Sequence, residues 1–306
     1  MMKSLKIHIL MLLILPGFLT ANKCFAQKRG NESRMFLKYE MPITEFYEHQ
    51  PVPVSVVLCS TTPDIAEVRE VEDVSLKKGS FATLQTVDNP GSAYVKNVGG
   101  ERVYCFPLKT IMVSMAEKGT YTLTGAAYEV GVPVYSVVNH PYRGPVRTVD
   151  IETVKLTPDN KSFKVRSLPI ASDSSEFSGS VGKFKIKTVI PPGDIFVNEE
   201  ATAIIILQGT GLIAEQTMPE YRDAFGNGVK LKSVSESRSG AYKNGDMLSE
   251  LRLECTFVPF RQDDVTIGEV SFNYFDPEKK EYKKAVSKPV TIKVKSITSR
   301  KEAITI

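Results

Sequence analysis

The chain has 306 residues, 42% of them hydrophobic and 24% charged, so it is long enough for two ordinary domains and too apolar for a disordered chain. Tyr (12) and Phe (15) are plentiful and Trp is absent, a mixture suited to pleated, half-buried surfaces. The formal charge of +4 falls to +1 once Lys3, Lys6 and Lys23 of the leader are set aside, and no basic stripe interleaved with aromatics remains to suggest nucleic acid.

Lys3 and Lys6 precede the apolar run Ile9–Leu15, Pro16-Gly17 ends it, and Ala21-Asn22-Lys23-Cys24-Phe25-Ala26 follows. This order predicts a secretory signal peptide over 1–26, cut after Ala26, and the apolar run is short for a membrane span. Lys23 occupies the place of the small residue that a lipid-modified Cys24 needs. Nothing downstream reads as a transmembrane segment, so the expected mature protein is exported, either periplasmic or associated with the cell surface.

From Met35 the pattern is strand, turn, strand, predicting a first β-sandwich over 35–168. Phe36–Met41, Pro51–Cys59, Ser80–Val87, Arg102–Phe106, Thr110–Met115, Thr120–Tyr128 and Ser162–Leu168 alternate or run apolar, with Gly and Pro between them. Ile65–Leu76 reads equally as a short helix or an irregular strand, and Asn139-His140-Pro141 reads as a loop. Residues 169–180, proline followed by small polar residues, read as a linker.

A second β-sandwich is expected over 181–297, followed by a polar tail at 298–306. Its strands begin at Lys183–Lys187 and run through Ala201–Leu207, Lys230–Ser233, Glu250–Val258 and Asp264–Tyr274. The last hairpin is read as Val270–Tyr274 closed by Lys288–Val294, with Asp276-Pro277 breaking the first strand. Ile111–Leu123 aligns without a gap on Cys255–Ile267: Val113 falls on Phe257, Tyr121 on Val265 and Leu123 on Ile267. Downstream, Tyr128 falls on Phe272, and Phe163-Lys164-Val165 matches Ile292-Lys293-Val294. The expectation is an all-β chain of tandem immunoglobulin-like antiparallel β-sandwiches, with strands roughly every ten residues.

The second half is similar to the BatD family of oxygen-tolerance (aerotolerance) proteins. The likeness rests on Phe177, Gly179, Val181 and Gly182, on Val197-Asn198-Glu199, on Gly209-Thr210-Gly211, and on Phe257-Val258-Pro259. Above all it rests on Phe272-Asn273-Tyr274-Phe275-Asp276-Pro277 with Tyr282. The resemblance implies an immunoglobulin-like envelope protein without enzymatic activity, associated with proteins carrying von Willebrand factor A domains and with a MoxR-type ATPase. Leu212 stands where the family has Asn after Gly-Thr-Gly, and the family's C-terminal membrane helix has no counterpart, which suggests a short secreted relative.

Catalytic and metal chemistry finds little support. His49 and His140 are isolated, and no His-x-His, His-Glu-x-x-His or Cys-x-x-Cys spacing occurs, so no cofactor or metal is expected. Cys59 and Cys105 lie on predicted strands of the first domain and are compatible either with an internal bridge or with reduced, buried thiols. Cys255 is unpaired in both readings. Asp263-Asp264 reads as a solvated turn. The expected partners are envelope proteins, with Tyr274, Phe275, Asp276 and Tyr282 as the contact residues if they are exposed. The alternative function is a surface adhesin or glycan-binding module, which would require a row of exposed aromatics on one sheet.

Overall fold

The computed structural model describes residues 34–88, 91–170, 177–226 and 228–296; the expected signal peptide and the polar tail lie outside them. The described residues form an all-β sandwich structure with two large hydrophobic cores and a small third cluster.

The first set of strands comprises β1 (Met35–Glu40), β2 (Glu45–Tyr47), β3 (Val52–Ser60), β4 (Glu67–Glu70), β5 (Val74–Leu76) and β6 (Ala82–Asp88). It continues with β7 (Tyr94–Val98), β8 (Glu101–Ser114), β9 (Gly119–Gly125), β10 (Tyr128–His140), β11 (Gly144–Leu156) and β12 (Lys161–Arg166). One sheet runs β1-β3-β8-β6, with β7 also on β8, and faces a second sheet β2-β12-β9-β5. Val52, Val54, Val56 and Leu58 of β3 alternate inward against Phe46, Leu123, Phe163 and Val165, which is the period-two burial that a strand requires. A third sheet, β11-β10-β4, adjoins these.

The second set comprises β13 (Val181–Val189), β14 (Ile195–Phe196), β15 (Ala201–Leu212), β16 (Val229–Lys243), β17 (Asp246–Pro259), β18 (Asp264–Ile267), β19 (Ser271–Asp276), β20 (Glu281–Val286) and β21 (Val290–Lys295). A sheet β16-β17-β15-β13-β19-β20 covers a smaller one, β14-β21-β18. Their core is built on Ile205, Leu207, Leu251, Leu253, Phe257 and Ile267.

The two sets share one wiring plan. The order β1-β3-β8-β6 is matched by β13-β15-β17-β16, and the short β2 lies parallel to the last strand β12 just as β14 lies parallel to β21. The gapless alignment of Ile111–Leu123 on Cys255–Ile267 therefore overlays β8-to-β9 on β17-to-β18. Val113 and Phe257, like Leu123 and Ile267, occupy equivalent and fully enclosed positions.

Three sequence expectations change. The undecided stretch Ile65–Leu76 holds β4 and β5, two short strands that join different sheets. The last hairpin closes through Glu281–Val286, because Ser287–Pro289 carries the chain across to the opposite sheet, where Val290–Lys295 pairs with β18. The region 128–156, including the supposed loop at His140, is a long hairpin: β10 and β11 pair from Tyr128↔Leu156 out to His140↔Gly144.

Candidate protein-contact surface

The turn into this long hairpin is set by backbone geometry. Gly125 and Ala126 both adopt positive φ (76° and 57°), which bends the chain out of β9's sheet and into β10. A Cβ on Gly125 would stand 2.4 Å from the Asp73 carbonyl oxygen, so only glycine fits there. The Tyr39 hydroxyl donates to the Thr124 carbonyl at 2.7 Å and fixes the bend from the core side. Burial and the nearby Glu72 and Asp73 carboxylates hold that phenol protonated, far above its usual range.

Only the base of the hairpin belongs to the sandwich. Tyr128, Val130 and Leu156 are buried, and β4 pairs with β10 only from Tyr128 to Gly131. From Val134 to His140 and from Gly144 to Thr153 every residue except the half-buried Thr148 is exposed. Register places Pro133 with Ile151, Tyr135 with Val149, and Val137 with Arg147 on one face of this ribbon. Tyr135, Val137, Val149 and Ile151 are each more than half exposed and adjoin one another, a contiguous apolar surface bordered by Arg147. The opposite face pairs Val134 with Asp150, Ser136 with Thr148 and Val138 with Val146, and Tyr142 at the tip is 93% exposed.

The residues singled out in the sequence lie elsewhere. Phe275 is fully enclosed, Asp276 is 2% exposed, Tyr274 is buried and Tyr282 is half-buried, so they do not offer a free anchor. Their partners are internal. The Phe275 ring meets Tyr47 of β2 edge-on at 4.9 Å and Tyr282 at 5.2 Å, while Tyr282 meets Phe177 at 5.0 Å. The Tyr282 hydroxyl donates to the Pro169 carbonyl at 2.7 Å. This hairpin, β19–β20, thus seats the second strand set against the first.

Asp276 organises the turn. Its Oδ1 accepts the backbone N–H groups of Glu278 and Lys279, and its Oδ2 accepts Lys283 Nζ at 2.8 Å. Burial alone would raise this carboxyl, but the Lys283 ammonium and the two N–H groups outweigh it and hold the pKa below the ordinary Asp range. Gly209-Thr210-Gly211 lies within β15. Gly211 is the register partner of Gly182, and a Cβ on Gly211 would stand 2.3 Å from the Val181 carbonyl oxygen.

Cys59 and Cys105 are register partners on neighbouring strands, both fully buried and both free thiols. Cys255 is buried without a cysteine beside it. Among the described residues no group of three or more His, Cys, Asp or Glu is placed to hold a metal ion, and no helix is long and apolar enough to cross a membrane. Among the described residues the exposed large aromatics are Tyr135, Tyr142 and Phe260, and Phe260 lies in the other strand set.

Residues 188–294 match the family model BatD, described as a BatD DUF11 like domain. The chain is a relative of the BatD family. Nothing among the curated proteins matches it. The BatD match falls within the second strand set and takes in the Phe272–Pro277 motif, whose Phe275 meets Tyr47 of the first set, and Tyr282. BatD proteins are associated with the cell envelope and with aerotolerance-type systems.

Proposed function

We propose that this BatD relative is an exported, non-catalytic scaffold that binds other envelope proteins through the β10–β11 ribbon. Its partner in this reading is a protein carrying a von Willebrand A domain, within a MoxR-associated system for oxygen or stress tolerance. One observation carries the choice of surface. β10–β11 and β19–β20 hold the same position in chain order, between the equivalent strands β9/β18 and β12/β21, although β19 joins its main sheet through β13 whereas β10 pairs with β4 in a separate sheet. The β19–β20 hairpin already makes a protein contact, seating Phe275 against Tyr47 of the neighbouring strand set, with Tyr282 packed on Phe275. The β10–β11 hairpin is longer and presents Tyr135, Val137, Val149 and Ile151 to solvent.

Aromatic and β-branched side chains in a contiguous patch provide the desolvated centre that a protein interface requires. Beyond Gly131, the side of β10 that carries β4 at the hairpin base has no strand against it among the described residues, and neither does the outer side of β11. Strand addition is therefore the mode this surface favours. The test is co-purification of the tagged chain from envelope extracts. Wild type is expected to recover a von Willebrand A-domain protein, and the triple variant Tyr135→Ser, Val137→Ser, Val149→Ser to lose it. Recovery of no such protein, or equal recovery by the triple variant, contradicts the proposal.

A further inference from the structure

Phe36, Cys59, Cys105 and Tyr94 form one row across the neighbouring strands β1, β3, β8 and β7. Side chains in such a row share a face, and here it is the face turned away from the main core: Cys59 and Cys105 cluster with Val57 and Val103, apart from Val56 and Leu58. The thiols are nevertheless fully covered. Phe36, Tyr94 and Val98 pack against them, and a polar bridge holds Tyr94 in place: its hydroxyl donates to Glu40 Oε1 at 2.9 Å, and Lys96 Nζ reaches the same oxygen at 3.0 Å. Glu40 lies on β1 and Tyr94 and Lys96 on β7, so this clasp spans the two cysteine-bearing strands between them. Lys38 Nζ also pairs with Glu40, at 2.8 Å, and lies close enough to Cys59 to favour its thiolate.

Directly opposed residues of an antiparallel pair have Cα atoms about 4.5 or 5.5 Å apart, and both values lie within the range a disulfide spans. We infer that Cys59 and Cys105 form a reversible dithiol–disulfide site that reacts with small-molecule disulfides and is gated by the Glu40–Tyr94–Lys96 clasp. In the exchange one cysteine thiolate attacks a sulfur of the small disulfide, the S–S bond breaks, and one thiol leaves with a proton. The second cysteine then attacks the mixed disulfide, forming the Cys59–Cys105 bond and releasing the second thiol. Two S–H groups are oxidised and one external disulfide is reduced to two thiols.

The gate matters because the closed site is unreactive. Burial and the neighbouring Cys105 thiol push Cys59 up to about 12, so the nucleophilic thiolate forms only when the clasp opens toward water and Lys38 acts on a better-solvated sulfur. Cys255, pushed up to about 11 by burial and with no cysteine beside it, serves as an internal control.

The experiment incubates the full chain with glutathione disulfide, quenches with acid, denatures, alkylates the remaining thiols and maps peptides by mass spectrometry. Cys59 and Cys105 are expected to lose alkylation together and to appear as one linked peptide pair that dithiothreitol reverses, while Cys255 stays alkylated. Cys105→Ser should abolish the link. Tyr94→Phe, which removes one charge-assisted hydrogen bond of the clasp, should speed the linkage roughly tenfold with an unchanged circular dichroism spectrum. If Cys59 and Cys105 remain fully alkylated, or carry only separate glutathione adducts, the dithiol site is overturned. If Tyr94→Phe reacts at the wild-type rate, the gate is overturned.

Discussion

Asp276 shows how one residue serves a whole hairpin. It is nearly enclosed, yet its charge is matched by Lys283 and by two backbone N–H groups of its own turn. Truncation to Ala leaves those donors without their acceptor and should cost about 1.5–3 kcal/mol at neutral pH, measured by denaturant unfolding. The pH dependence has a definite sign. A carboxyl whose folded pKa lies below its ordinary value of 3.8 adds stability above that value and loses it as pH falls through the folded pKa. The gap between wild type and Asp276→Ala should therefore be full at neutral pH and shrink below about pH 4; a gap independent of pH would contradict the ion-pair account. Gly211 makes a second case, since its Cβ would overlap the Val181 carbonyl and its φ is +128°. Gly211→Ala should destabilise by about 1–3 kcal/mol in the same assay, and a neutral result would mean that β13 and β15 can separate freely. Asp-Pro after an alternating strand announced a turn from the sequence alone. The enclosure of Phe275 did not show there, because its covering partner, Tyr47, lies far away in the chain.

At the level of strands, legibility followed burial. Strands with one face in a core, such as β12, β13 and β17, have a period-two pattern and were readable from the sequence. β10 and β11 were not: beyond their base both faces meet water, so no alternation marks them, although Val is frequent in both, joined by Tyr in β10 and by Thr in β11. The closing hairpin was misread because Glu281–Val286 is charged and half exposed, whereas Val290–Lys295 carries the stronger apolar alternation. That alternation reflects burial in the opposite sheet. Because the ribbon patch touches solvent and not core, Tyr135→Ser with Val149→Ser should leave unfolding stability within about 0.5 kcal/mol of wild type. A larger loss would show that the ribbon packs against the body of the protein.

Across the whole molecule, the all-β sandwich architecture is what the sequence anticipated. Equal spacing between β8–β9 and β17–β18 placed equivalent core residues on one another, and the strand orders agree. What spacing leaves out is the use to which each copy puts its hairpin: β19–β20 is short and seated, β10–β11 is long and open. The seated contact should respond to its own mutation. Tyr47→Ala removes the first set's ring from Phe275 while leaving the second core's residues in place. X-ray scattering should then report a larger radius of gyration with unchanged β content; an unchanged radius would mean that the aromatic junction does not hold the two sets together.

The most direct test of a contact-making role for this chain is site-specific photocrosslinking in cells. A benzophenone side chain at position 135 is expected to capture a von Willebrand A-domain protein, whereas one at position 282 should give products within the chain itself. Failure of position 135 to capture such a protein, or its capture from position 282 instead, would contradict the account.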